Sequence, residues 1–232
     1  MKFLIPLILI LGFTNPASAQ QVQETTIQII MDDSGVLIDA EEADQFKMQL
    51  FSQMKKLVRK REFSKAHIDV ISTSTGRTVW SGTPSDLKRQ PERALALVNA
   101  IKSSPENCNN IPGAFAELSS NLKAIKRQNF KSVHIIVFSS LIDTPRPCDK
   151  TTQIVLPQLP PVKANVNAAL SSYDTIRSIT FFWISPFQKA GWEEYLDPTF
   201  NWALQNNIQI TFMDIERSKL SLRQGLNFGG RK

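Results

Sequence analysis

The sequence predicts an α/β domain: a three-layer, doubly wound fold whose sheet is mostly parallel with one antiparallel edge strand. Three observations carry that expectation. Short apolar runs return at Thr26–Met31, His67–Thr73, Val133–Ser139, Ile176–Ile184 and Ile208–Ile215, with helical stretches between them. The first run, with Ile27, Ile29, Ile30 and Met31, is too continuous for a half-exposed strand, which points to a strand covered on both faces. It ends abruptly in Asp32-Asp33-Ser34-Gly35, at a strand's carboxyl end, where open α/β sheets carry their sites.

The chain has 232 residues, and its beginning reads as a secretory signal peptide, Met1–Ala19. Lys2 is the positive start, Phe3–Phe13 the apolar core, and Ala17-Ser18-Ala19 the small-residue cleavage site. The remainder, 20–232, is enough for one well-buried domain with its core at about residues 25–224. The reading is therefore of an exported protein, periplasmic or secreted, with no membrane span after signal removal. A formal charge of +6 is a mild excess that does not by itself imply nucleic acid. Cys108 and Cys148 are the only cysteines, and in an oxidising compartment an even count favours a bridge. Neither His67 nor His134 has metal-ligand spacing to them.

The elements follow in order. Glu41, Glu42 and Asp44 suit the positive end of a helix whose apolar stripe is Phe46, Leu50, Met54, Leu57 and Val58. Lys55, Lys56, Arg59, Lys60 and Arg61 crowd its end, as a solvated face or a contact for an anionic partner. His67–Ser72 and Thr78–Gly82 form a hairpin through the turn at Gly76, which makes Thr78–Gly82 the antiparallel edge strand. Asp86–Ser103 is helical and divided at Pro91, and a further helix carries Phe115, Leu118, Leu122 and Ile125. Lys131–Ser140 is the second continuous apolar strand. It opens into a proline-rich excursion through Pro161, long enough to expect a functional or covering loop. Then come a short helix at Ala164–Ser172, the buried strand Arg177–Ile184, and a helix at Gln188–Asn206 with a new turn starting at Asp197-Pro198. The last strand is followed by a terminal helix at Glu216–Gln224 and a frayed end at Asn227–Lys232.

This order, with polar loops after Met31, Ser104 and Phe138, resembles the von Willebrand factor A-type domain over roughly Thr25–Gln224. The family's adhesion site joins an Asp-x-Ser-x-Ser loop to a threonine and an aspartate from two later loops, and holds Mg²⁺ with hard oxygen donors. Asp32 and Ser34 match its first two positions, and Val36 stands in place of the second serine. Asn109 stands in the threonine position, and Ser139-Ser140 where an aspartate belongs, with Asp143 three residues further on. The resemblance thus implies a degenerate metal site of Asp32, Ser34, Asn109 and Asp143, with weak Mg²⁺ at most and a metal-free outcome favoured. It also implies that Cys108 and Cys148 staple two neighbouring loops. The implied function is non-catalytic binding of another envelope or secreted protein through Asp33, Asn110, Leu141 and Arg146. Nucleic acid is not an expected partner.

The alternative is a hydrolase. Asp33-Ser34 after a first strand also resembles the Gly-Asp-Ser motif of SGNH-type esterases, with Ser34 as nucleophile. Those enzymes need a histidine base near the C-terminus, and no histidine follows His134. A phosphatase pattern fails at Ser34, where a second aspartate is required, and no glycine-rich phosphate cradle is present.

Overall fold

A computed structural model describes residues 25–128, 130–144, 146–160, 166–171, 173–226 and 228. The expected signal peptide at 1–19 and most of the frayed end lie outside them. Six strands form one mixed sheet: β1 Thr25–Met31, β2 His67–Ser72, β3 Arg77–Gly82, β4 Ser132–Phe138, β5 Ile176–Ile184 and β6 Gln209–Asp214. Their spatial order is β3-β2-β1-β4-β5-β6, so β1 is internal as its continuous apolar run requires. It pairs in parallel with β2 and β4, and the β2–β3 hairpin is the antiparallel pair.

Every residue of β1 is buried, and successive side chains go to opposite sides of the sheet. Ile27, Ile29 and Met31 join a cluster with Phe46, Leu50 and Met54 of α1 (Ala40–Lys56) and Leu222 of α7 (Ile215–Gln224). Leu87 of α2 (Pro84–Arg89) and Leu97 of α3 (Pro91–Ala100) belong to the same cluster. Ile30 joins a second cluster with Phe115, Leu118 and Leu122 of α4 (Ile111–Arg127) and Leu170 of α5 (Val166–Ser171). Trp192 and Leu196 of α6 (Pro186–Gln205) complete it. Each such side chain contributes about 1.5–3 kcal/mol when fully buried.

The structure adds two polar interruptions. Gln28, buried in β1, donates to Asp69 Oδ2 at 2.7 Å and accepts from Asn121 Nδ2 at 3.2 Å, so its amide is satisfied within the sheet face. Lys47, 1% exposed within α1, directs its ammonium to Asp44 Oδ1, Ile101 O and Ser103 Oγ, and so ties the helix to the loop before α4.

One helix expectation is corrected. Asp197-Pro198 does not begin a new turn, because α6 runs unbroken from Pro186 to Gln205 with Pro198 inside it. Pro198 lacks an N–H and costs a helix a hydrogen bond, but it and Glu194, four residues before, are both exposed, so water can serve the freed carbonyl. Trp192, Leu196, Thr199 and Ala203 meanwhile bury the opposite side and hold the helix in place.

Candidate functional site

Three chain segments leave the sheet side by side, because Met31 is paired with Ser72 on one side and Phe138 on the other. Two of the neighbouring strands end in hydroxyl pairs, Ser72-Thr73 and Ser139-Ser140, and β1 ends in Asp32-Asp33-Ser34. Asp32 is fully buried, and its backbone N–H donates to Phe138 O at 2.8 Å. Its Oδ1 accepts from Ser34 Oγ at 2.5 Å and Ser34 N at 3.1 Å. Its Oδ2 accepts from Ser139 Oγ at 2.8 Å and Asn109 Nδ2 at 3.0 Å, with Ser140 Oγ farther away at 3.4 Å. Thr73 Oγ1 stands 3.4 Å from Oδ1. A carboxylate shut away from water is thus surrounded by neutral donors from four loops, the arrangement that makes a buried charge tolerable.

Asp33 faces the other way. Its carboxylate accepts from Ser72 Oγ at 2.7 Å and Ser74 N at 2.9 Å, and its carbonyl accepts from Ser104 N at 2.7 Å. Gly35 N donates to Glu106 O at 2.6 Å, and a Cβ at this position would come within 2.9 Å of that oxygen, so the close approach of the two loops requires glycine. Cys108 and Cys148 are bridged with Cα atoms 5.4 Å apart, inside bridging range. Around this staple, Asn107 Nδ2 donates to Thr152 O at 3.1 Å, and Asn109 N to Thr144 Oγ1 at 2.6 Å. The far end of the excursion is pinned by Gln158, whose side chain accepts from Asp143 N at 2.8 Å and donates to Asp143 O at 2.7 Å, while its backbone N–H donates to Gln188 Oε1 at 2.7 Å.

The sequence-derived metal set is only partly brought together. Asp32, Ser34 and Asn109 converge. Asp143 does not join them: its Oδ1 accepts from Ile111 N at 3.0 Å, at the start of α4. Burial pushes the Asp143 carboxyl above its ordinary range, opposed by the backbone N–H groups of Ile111 and Thr144 and by the Arg146 charge. Among the partner-facing candidates, Leu141 and Asp33 are corrected by their burial, 0% and 8% exposed. Leu141 sits in left-handed backbone at φ 58°, and its carbonyl accepts from Gln188 Nε2 and Trp192 Nε1, so the loop turns its side chain inward. Asn110 is half-buried and caps α4 by accepting from Gly113 N at 3.0 Å. Arg146 is exposed, and its guanidinium bridges to Ser74 O.

The residues present do not fit Mg²⁺. Asn109 turns its amide nitrogen, not its oxygen, toward Asp32, and that orientation is fixed because Nδ2 also donates to Ile142 O at 2.6 Å. An N–H donor therefore occupies a ligand position, and an N–H cannot bind a cation. Asn109 Oδ1 is buried with no partner among the described residues, directed away from the carboxylate by the same constraint. Among the described residues no three His, Cys, Asp or Glu side chains gather as a metal group.

Ser34 is fully buried and donates to Asp32. His67 opens β2, at the opposite end of the sheet from Ser34, and bonds Asp69 and Ser81. His134, early in β4, bonds Ser132 and Ser178. Neither imidazole reaches Ser34 to take its proton, which a serine nucleophile requires.

No protein-family model matches the sequence, and no curated protein matches it. Solved structures do. The chain is similar to the pilus adhesin SpaC from Lactobacillus rhamnosus GG, at TM-score 0.53 and 9% identity, with 88% of this chain and 30% of that one covered. It is also similar to a mutant of the PilB minor pilin from Streptococcus sanguinis, at TM-score 0.50 and 11% identity, with 91% of this chain and 62% of that one covered. The chain thus spans less than two thirds of each, and identities this low establish likeness of fold alone.

Sequence reasoning placed the loops and put Ser139-Ser140 at the site, but missed much of what holds them: Thr73, Thr144, Gln158 and Gln188. The doubled hydroxyl Ser72-Thr73 after an apolar run was the available signal for the first. Nothing local marks the glutamines.

Proposed function

We propose that the chain is an exported von Willebrand factor A-type domain, with its sheet between two helical layers, that binds another envelope or secreted protein without metal and without catalysis. The observation that carries this reading is the Asp32 cluster. At the position where such a domain would hold its ion, a buried carboxylate is instead saturated by Ser34, Ser139 and Asn109, so it serves to hold loops together. The surface above it is braced by the disulfide and by Gln158. A rim fixed in advance loses less entropy when it binds.

The exposed side chains of that rim specify what it can meet. Leu159 and Phe187 flank the Gln158–Gln188 bond and are 91% and 65% exposed, and Val155 is 79% exposed. Arg146 stands at the stapled end. Exposed apolar side chains and an anchored cation on the loops of this rim suit a protein surface that offers apolar and acidic groups. The resemblance to an adhesin and a minor pilin is compatible with that role.

The test is a pull-down with residues 20–232 from the protein's own envelope fraction, comparing wild type with Leu159→Asp/Phe187→Asp and with Arg146→Ala. A partner retained in EDTA, and lost in the apolar double variant, is the expected result. A partner that needs Mg²⁺, or binds the rim variants equally well, overturns the reading. Ester hydrolysis lost on Ser34→Ala would move the protein to the hydrolases.

A further inference from the structure

The opposite, amino-terminal edge of the sheet carries a different surface. Between residues 55 and 65, Lys55, Lys56, Arg59, Lys60, Arg61 and Lys65 are all exposed, and Glu62 is the one acid among them. None of the six has an ion-pair partner among the described residues. Lys55 and Lys56 end α1, and Leu57–Arg59 form a single 3₁₀ turn before the chain passes beneath the sheet to β2. Phe63 fixes this passage, its ring 5.3 Å from His134 and 4.8 Å from Phe228.

Further cations reach the same edge from the other side of the sheet. Lys126 and Arg127 end α4 and are exposed. Arg177 opens β5, with its guanidinium 3.4 Å from Lys131 O. The His67 and Phe130 rings, 6.5 Å apart, bring the start of β2 beside the approach to β4. The exposed acids here are fewer: Glu62, Glu92 and Asp174, since Asp86 faces Arg93. Among the described residues positive charge is therefore distributed unevenly, with exposed cations outnumbering exposed acids at the end of the domain remote from Asp32.

We infer that this amino edge docks electrostatically on an anionic phospholipid surface. Charge complementarity carries the inference: exposed lysines and arginines with no ion-pair partner among the described residues cluster on one end of the molecule. The recognition is by charge alone, because Phe63, the aromatic residue of the segment, is 4% exposed and turned inward. Binding of single-stranded nucleic acid would instead use exposed rings on which bases stack. Docking in this orientation leaves the rim at Arg146 and Leu159 facing away from the bilayer. The inference stands whether or not that rim binds a protein.

The test is co-sedimentation of residues 20–232, which contain every described strand and helix, with two kinds of vesicle. One is pure phosphatidylcholine, and the other contains about one third phosphatidylglycerol. Binding is expected on the anionic vesicles only, and is expected to fall steeply as salt shortens the Debye length from about 8 Å at physiological ionic strength. Arg59→Gln/Arg61→Gln should weaken partition by about 25-fold, at roughly fivefold for each cation near the surface. The charge-matched pair Lys102→Gln/Lys150→Gln, away from this edge, should change it less than about twofold. Equal binding to neutral vesicles, or equal losses in both double variants, overturns the proposal. Binding to an anionic polysaccharide or to DNA without binding to anionic vesicles overturns it too.

Discussion

Asp32→Ala tests whether the buried carboxylate holds the loops together. Three donors lose their acceptor: Ser34 Oγ, Ser34 N and Ser139 Oγ, at 2.5, 3.1 and 2.8 Å. Asn109 Nδ2 keeps Ile142 O, and the contacts at 3.4 Å from Thr73 and Ser140 carry little. A buried donor left unsatisfied costs about 1–3 kcal/mol, and the two hydroxyls can rotate toward other acceptors, so the expected loss is about 3–5 kcal/mol. That is a large part of the 5–15 kcal/mol available to an ordinary domain. Asp32→Asn keeps an acceptor for Ser34 but directs N–H toward the amide of Asn109, and should cost less, about 1–3 kcal/mol. Urea unfolding of residues 20–232, followed by tryptophan fluorescence, gives both values from the midpoint and slope. Millimolar Mg²⁺ or EDTA should leave the midpoint unchanged, since a cation bound only by the folded state would raise it. A loss under about 1 kcal/mol for Asp32→Ala would refute the bracing role. A Mg²⁺-dependent rise in wild type that disappears in the variant would refute the metal-free assignment.

The two histidines make opposite contributions to pH dependence. Burial, with the Arg177 charge beside it, lowers His134 from 6.5 to about 4, so its share of stability is complete above pH 6.5 and is lost as pH falls toward 4. This is about 3 kcal/mol, and His134→Gln should flatten the acid limb of a stability–pH curve. His67 is raised from 6.5, chiefly by its hydrogen bond to Asp69 and against the effect of burial. Its contribution is therefore present below pH 6.5 and lost as pH rises through the folded value, a limb that His67→Gln should remove. The Cys108–Cys148 bridge spans 40 residues, so Cys108→Ser/Cys148→Ser should lose about 4 kcal/mol in the same urea assay. Two free thiols in the oxidised native protein would contradict the bridge.

The strands were legible in the sequence because burial on both faces writes itself locally: Ile27, Ile29, Ile30 and Met31 need no distant information to read as an internal strand. Pro91 likewise marked the division between α2 and α3, since a proline suits the first turn of a helix. The pairing of Cys108 with Cys148 was also accessible, because two cysteines in a chain expected to be exported leave one intramolecular bridge. The same local rule misread Pro198, where the burial of Trp192, Leu196 and Ala203 outweighs the hydrogen bond that proline removes.

By itself the sequence determined the strand order in broad terms and the position of an acidic loop after β1. Only the tertiary structure decided what that loop does. Beside the local Ser34, the donors that saturate Asp32 come from Asn109 and Ser139, separated from it by 77 and 107 residues. Whether those groups arrive with an N–H or an oxygen foremost depends on Ile142 O, which fixes the Asn109 amide. Leu141 and Asp33 turned inward for the same kind of reason, through Trp192, Gln188, Ser72 and Ser74. Apolar burial follows a period along the chain and can be read from it. The direction of a hydrogen bond is a property of two groups in space, so it appears only when the folded chain brings both together.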